Sequence, residues 1–418
     1  MMNQATPRTV LISGASIAGP ALAFWLHRYG FDVTVVERAS AVRGGGYNID
    51  IRGAAVDVVK RMGVYDELEA VRTPPQTIKF VDSAGDEVAS INTVDYVSQV
   101  NPDDLEIARG EVTKVLYAHT KDDVTYAFND SIDTLDMHDG GVDVTFTNGE
   151  ARTYDIVVGA DGIHSNTRRL VFGEESRFSR YLGYTVAIFT VDGGLSSGAQ
   201  QSTMYNVPGL TAAFGQVTPD GPAQAFFAFK QDDPDALREA DFEGQCDLVA
   251  RAYRNEGWRI PEIVAAMRST DDLYFDSVGQ IRMEEWSKGR VVLVGDSCFA
   301  PAFLSGQGTS MALIGAYCLA TALANNTDHT AAFAEYDRSC RDFMVKSQDL
   351  ALSGSLTVLP ATQEALLQRN EVLRTLASRK EAGGGGELGA ATREASNAII
   401  LPEAAEAAWP RRAASTWR

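Results

Sequence analysis

The sequence predicts an α/β protein in which a Rossmann-like nucleotide-binding domain is interrupted by an antiparallel β-sheet domain and followed by a C-terminal helix. Three observations lead there. Residues 9–38 read as a strand, a small-residue turn, a helix and a second strand. Two further apolar strands, at 154–162 and 290–296, end like the first at small or acidic residues. Between them, residues 177–277 change to short β-rich segments separated by turn residues. In open α/β sheets ligands sit beyond the carboxyl ends of the strands, and ends so far apart in sequence converge only within one sheet.

The first unit, TVLISGASIAGPALAFWLHRYGFDVTVVER, fits the roughly 30 residues that a dinucleotide-binding unit needs. Val10 to Ile12 are an apolar run, and Ile17, Ala21, Leu22, Trp25 and Leu26 recur at helical spacing. Gly14, Ser16 and Gly19 make the turn, with Ile17 and Ala18 inside it. Such a turn lets a pyrophosphate approach the backbone, where the free N–H groups of a helix N-terminus favour its charge. Ser16 replaces the middle glycine of G-x-G-x-x-G. It is small enough to keep the backbone near a phosphate, and its hydroxyl can donate. Glu37, followed by Arg38, ends the second strand and is placed to accept hydrogen bonds from an adenosine ribose.

The chain has 418 residues, 45% apolar and 22% charged, an ordinary globular composition sufficient for two or three domains. Its 37 Lys and Arg against 56 Asp and Glu leave a net charge of −19, which argues against nucleic-acid or anionic-membrane partners. Cys246, Cys298, Cys318 and Cys340 show no C-x-x-C pairing, so neither a metal nor a disulfide framework is suggested. No basic region followed by an apolar one opens the chain. Ser297 to Thr327 carries no charge, but its apolar density is high only from Met311 to Ala324, too short for a bilayer. A buried helix behind a glycine-rich loop, in a cytoplasmic protein, is the expectation.

In order, the glycine tract Gly44 to Gly46 permits positive φ and suggests a loop pressed against a ligand, flanked by Arg43 and Arg52, either of which could face a phosphate or a nicotinamide cofactor. Ala54 to Met62 reads as a helix ending at Gly63. Thr77 to Ile91 alternates like a hairpin turning at Ser83–Asp86. Leu105 to Leu116 returns to the first domain, with Arg109 opening a helix. Short strands follow at 125–128, 132–138 and 142–147, then the apolar run Tyr154 to Ala160, which reads as the middle of a parallel sheet and leads into Asp161-Gly162-Ile163-His164. The β-rich segments carry Tyr184, Phe189, Tyr205, Phe214, Phe226 and Phe227, a reasonable wall for an apolar planar substrate. Helices are expected at 243–255, 262–268 and 363–377. The resulting division is 1–76, 100–176 and 278–345 for the nucleotide-binding domain, 77–99 and 177–277 for the substrate sheet, 346–380 for a C-terminal helical segment, and 381–418 for a low-complexity tail, either disordered or a weak terminal helix with a solvated face.

With GASIAG and Glu37-Arg38, the stretch DIVVGADGIHSNTR and the stretch RVVLVGDSCFAPAFLSGQGTSMAL in place, the chain resembles the group A flavoprotein monooxygenases of the p-hydroxybenzoate hydroxylase fold over about residues 8 to 345. Among these it is similar to the tetracycline-inactivating and aromatic polyketide hydroxylase members. The resemblance implies FAD and NAD(P)H as cofactors, O2 as co-substrate and oxygen transfer through a flavin C4a-hydroperoxide to an aromatic or polyketide-like small molecule. It places Gly14, Ser16 and Gly19 on the FAD pyrophosphate, Glu37 on the ribose and Arg109 at the phosphates. Asp161 and Gly162 would serve the cofactor, and Asp296 the ribityl or pyrophosphate region. Pro301, Gly306, Gln307, Gly308 and Thr309 would border the isoalloxazine.

The flavin does the hard step in this class, so no side chain is assigned as the catalyst. His164, inside the second stretch, is read as structural or cofactor-proximal. Two positions depart from the family pattern: Ser297-Cys298-Phe299 after the acid, and Ile314-Gly315 in the following helix. Halogenases share the fold, and Trp258-Arg259-Ile260-Pro261 echoes part of their signature, but position 256 is Glu where the first tryptophan belongs. An FAD-binding oxidoreductase without oxygenation is the other alternative.

Overall fold

The computed structural model describes residues 8–42, 44, 47–92, 101–191, 201–216, 223–233, 237, 240–378 and 390–405. Arg43, Gly45 and Gly46 lie outside them. The strands Thr9–Ser13, Asp32–Glu37, Thr125–Phe128, Ile156–Gly159 and Val291–Leu293 form a parallel sheet, with Ser287–Lys288 added antiparallel at one edge. Val10, Leu11 and Ile12 are fully buried, as are Val157, Val158 and Val291 to Leu293, which is why these runs carry no polar alternation. The apolar segment expected at 154–160 is divided at Asp155. That residue accepts hydrogen bonds from the Thr9 amide (2.7 Å) and hydroxyl (2.9 Å), and the ladder restarts at Ile156.

The helix Ala18–Arg28 packs on this sheet beside Gly308–Asn325, with Trp25 edge-on to Tyr317 at 4.9 Å. Residues 309–323 of the second helix are all buried, so the uncharged stretch is a central core helix. Among the described residues no helix is long and apolar enough to cross a membrane.

The second sheet has seven strands in the order Tyr274–Ile281, Ser179–Val191, Ala223–Lys230, Leu210–Gln216, Gln201–Val207, Thr77–Val81 and Glu87–Asn92. The early hairpin thus joins the later strands, and Thr77–Val81 runs parallel to Gln201–Val207, the one parallel pairing in this sheet among the described residues. The chain enters this sheet twice from the first domain, so the two visits need not alternate in direction. The helix His329–Val358 runs through the boundary expected at 346. The tail expected at 381–418 holds, within 390–405, a helix Ala390–Ser396 and a strap whose Ala398, Ile399, Leu401 and Ala404 pack on the main core. Tyr317 donates its hydroxyl hydrogen to the Pro402 carbonyl at 2.7 Å, and Ser396 is only 1% exposed.

Candidate cofactor and substrate site

Strand register brings the three distant segments level. Val36, Ser13, Gly159 and Leu293 stand in one row across the sheet. The next residues are tied across in the same order: Gly14 N–H to Val36 O, Ala160 N–H to Ser13 O and Val294 N–H to Gly159 O, at 2.8 to 2.9 Å. Glu37, Gly14, Ala160-Asp161 and Gly295-Asp296 therefore surround one place. Gly14 has φ +109° and a Cβ there would lie 2.4 Å from the Ala160 carbonyl oxygen; a Cβ on Gly19 would lie 1.9 Å from that of Gly14. Only glycine lets the turn fold this tightly onto its helix. Three helices, Ala18–Arg28, Asp296–Phe299 and Gly308–Asn325, begin here with no side-chain cap, leaving their first N–H groups for an anionic ligand.

Each predicted side chain has a definite place. Glu37 accepts the Ala15 amide (2.8 Å) and the Ala39 amide (2.9 Å) on its two oxygens, which fixes the carboxylate and leaves each oxygen a further lone pair. Arg38 is exposed at the same strand end. Arg109 donates to Ser16 Oγ at 2.7 Å. The serine that breaks the glycine pattern thus anchors the cation facing the turn, a pairing that linear spacing does not disclose. Asp161 turns inward: it accepts from Ser165 Oγ, from the Thr167 amide and hydroxyl (both 2.9 Å), and from Ser297 Oγ (3.3 Å). Ser297 also accepts the Gly162 amide at 3.2 Å, so this departure from the family pattern joins two of the three segments. Arg168 joins them again, donating to Ser297 O (2.9 Å) and Ile163 O (2.6 Å) while pairing with Glu175 at 2.7 Å. The sequence NTRR does not say which of its two arginines turns inward.

Asp296 is exposed at the end of the third strand; desolvation by the protein around it raises its carboxyl above the ordinary value, opposed by the Arg109 charge. Arg52, one of the two arginines flanking the glycine tract, is 8% exposed and paired with Asp50 at 2.8 Å. The loop after the third strand presents buried Pro301, exposed Gly306 at φ +62°, buried Gln307 and Thr309, and half-buried Gly308. Ala302 holds φ 67° and ψ 150°, a region that L residues avoid. Relief of about 1–2 kcal/mol is expected from Ala302→Gly, partly offset by glycine's greater unfolded-state freedom. The variant should therefore melt slightly higher in calorimetry, whereas a clear fall would show that the loop is unstrained.

His164 bridges the two sheets' domains. Its Nε2 lies 3.4 Å from Asp276 and its Nδ1 3.1 Å from Glu175, beside a cavity of about 270 Å³ lined in part by Tyr181, Ser277 and Gln280. Asp276 first, then Glu175, hold the imidazole up at about 10. A raised folded-state value stabilises fully below the unfolded 6.5 and is lost as pH climbs through about 10. Since the side chain is 60% exposed, the effect is small. Thermal melts from pH 6 to 10 should decline less steeply for His164→Gln than for the wild type; parallel declines would remove the imidazole from the linkage.

The aromatics of the second sheet divide by face. Phe189, Tyr205, Phe214 and Phe227 form a core with Val249, Ile260 and Ile263 of the covering helices Phe242–Ala252 and Ile260–Met267, so four of the six proposed wall residues serve packing. Alternation shows that two faces exist but not which one helices will cover. Trp258 stacks on Tyr205 at 5.4 Å on this covered face, away from the loop at 301–310. The other face carries Tyr184 and Phe226, and Phe226 meets Phe303 of that loop at 5.7 Å. Register extends it into one row: Tyr274, Ile188, Phe226, Ala213, Met204, Phe80 and Ala89. Ile188, Phe226, Ala213 and Met204 are only partly buried, which leaves an open apolar trough facing the loop. Tyr47, across from Tyr274 at 6.0 Å, closes its near end.

A parallel sheet with uncapped helix N-termini at its carboxyl edge, beside an apolar trough on a second sheet, is the architecture of a dinucleotide-binding domain joined to a second domain. The FAD binding domain family model matches residues 8–350, and the chain belongs to that family as a flavin-dependent monooxygenase. It is 36% identical over 399 residues to a flavin-dependent monooxygenase from an unknown prokaryotic organism, covering 95% of this chain and 99% of the relative. It is 32% identical to one from Legionella longbeachae serogroup 1 (strain NSW150), covering 94% and 97%. Among solved structures it is similar to tetracycline destructase Tet(55), with a TM-score of 0.81, 35% identity, and 96% and 100% coverage.

Proposed function

We propose that this chain consumes NAD(P)H and inserts one oxygen atom from O2 into an aromatic or polyketide-like small molecule. The observation that carries the reading is the apolar trough opening onto the loop at 301–310, beside three strand ends whose helix N-termini lack caps. When bound, FAD supplies the redox chemistry, accepting reducing equivalents from NAD(P)H and activating O2. The chain's own groups would do the rest. Gly14, Ser16, Ile17, Ala18 and Gly19 would offer amides and a hydroxyl to the pyrophosphate, Arg109 its charge, and Glu37, with Arg38 beside it, acceptors to the ribose. Asp296 would accept from the ribityl or pyrophosphate end. Asp161, committed to Ser165, Thr167 and Ser297, would hold Gly162 and the Asp296 turn in place rather than reach the ligand.

Pro301, Gly306, Gln307, Gly308 and Thr309 would border the ring system. The amide end of the helix Gly308–Asn325, with no acid in its first turn, would stabilise negative charge there. The apolar trough would orient the substrate and exclude water. The test is a screen of phenolic and polyketide compounds for stimulated NAD(P)H oxidation with oxygen uptake; no stimulation by any planar apolar compound, with activity confined to small, highly charged acids, contradicts the proposal.

Gly306 provides a sharper check. A Cβ there would lie 3.3 Å from Asp50 Oδ2 on a backbone at φ +62°, so Gly306→Val should move the loop. The expected variant keeps FAD and oxidises NAD(P)H but releases more hydrogen peroxide per product. Oxygen uptake with and without catalase measures this, and wild-type coupling would show that the loop does not shape the oxygen chemistry.

A further inference from the structure

The helix Gln363–Ser378 lies on the far end of the trough, where its Leu373 packs with Phe80 and Ala89. Its Arg369 is 8% exposed, and the guanidinium carbon stands 5.1 Å from the centre of the Phe80 ring. Nε and Nη1 are buried without hydrogen-bond partners, and among the described residues no carboxylate pairs with the group. Burial alone pushes the guanidinium down to about 10, so it stays charged at neutral pH. The neighbouring Asn370, also 8% exposed, leaves its Oδ1 without a donor. Arg168 shows the contrast: buried as deeply, it has Glu175 and two main-chain carbonyls.

A desolvated cation with unused donors costs stability unless something pairs with it. Cation–ring attraction to Phe80 recovers only part of that cost. In a chain of net charge −19, an interior arginine without an acid is a specific feature. Its position gives it a use. Phe80, Met204, Ala213 and Phe226 are successive across four strands, which sets Phe80 about 14 Å from Phe226 at the usual strand spacing. Met204 between them is partly open.

We propose that Arg369 is a specificity-determining residue of the substrate site, taking an anionic oxygen (enolate, phenolate or carboxylate) at one end of an elongated multi-ring aromatic molecule whose other end lies at Phe226 and Phe303. The assignment rests on the trough being the substrate site. The length separates this substrate class from single-ring phenols, which cannot touch both ends, and the charge separates it from neutral polycyclic hydrocarbons.

The experiment titrates FAD-loaded protein with anthraquinone-2-carboxylate and with its neutral methyl ester, following the flavin absorbance, alongside ligand-free thermal melts. In the wild type the acid should bind at least about tenfold more tightly than the ester. Arg369→Met should weaken acid binding by about ten- to a hundredfold, leave the ester unchanged and raise the ligand-free Tm, because an unpaired buried charge has been removed. Arg369→Lys should recover part of the acid preference. Equal acid binding by wild type and Arg369→Met, equal losses for acid and ester, or a lowered Tm with acid binding retained would each overturn the proposal and leave Arg369 a packing residue. Failure of the monooxygenase reading would show separately, as binding selectivity without any probe-stimulated NAD(P)H oxidation.

Discussion

Gly19→Ala is expected to yield protein that no longer holds FAD. The new Cβ would fall 1.9 Å from the Gly14 carbonyl oxygen, a main-chain atom of a turn held by the Gly14 N–H to Val36 O hydrogen bond at 2.8 Å and packed against the main chain at Ala160. Neither neighbour is the end of a flexible side chain, so the helix start must move off the strand. Overpacking of this kind costs about 3 kcal/mol, and a displacement that removes the amides from a pyrophosphate would weaken FAD by roughly a hundredfold or more. Gly63 is the control. It closes the helix Ala54–Met62 at φ +79° with open space where a Cβ would go. Gly63→Ala should lower Tm by strain alone and keep FAD affinity. Equal FAD loss in both variants would mean that general destabilisation, not the turn, is being measured.

The second large effect is expected at Asp296. Its carboxylate stands at the meeting of the third strand and the glycine turn, since a Cβ on the preceding Gly295 would lie 3.0 Å from that of Ala18. Desolvation already raises this carboxyl, so an ionised Asp296 is a cost to the ligand-free fold, with Arg109 offsetting it. Asp296→Ala should therefore leave the ligand-free Tm unchanged or higher while weakening FAD by about ten- to a hundredfold, the range for a hydrogen bond to a charged group. Fluorescence titration with FAD and calorimetry of the stripped protein separate the two. A lower Tm with FAD affinity intact would make Asp296 a loop cap.

The elements that place these residues were readable in the sequence because each is stated by local chemistry: apolar runs ending in Gly14, Gly162 and Asp296, and a helix from Ala54 to Met62 closed by glycine. Period and end-group suffice for such elements. What could not be read depends on which groups meet across the fold. Ser16 looked like a tolerated departure, and the fold makes it the anchor of Arg109. Phe189 and Phe227 looked like substrate wall, and two helices later in the chain cover them. The segment AIILPEAAE gave no amphipathic period, so nothing in it announced that Ile399 and Leu401 would strap onto the core while Ile400 stayed 94% exposed. Arg369 is silent in sequence for the same reason. Only the helix's seat over Phe80 shows that its charge is buried and unpaired.

The most direct measurement of the central claim is isotopic. FAD-loaded protein is given NAD(P)H and 18O2 with a multi-ring phenol that stimulates oxidation in the screen, and product and peroxide are quantified together. The account predicts one 18O atom in each product molecule and one NAD(P)H consumed per oxygen transferred, with little peroxide. Absence of any 18O-labelled product, with NAD(P)H and O2 recovered fully as hydrogen peroxide, would contradict it and leave an FAD-dependent NAD(P)H oxidase on this fold.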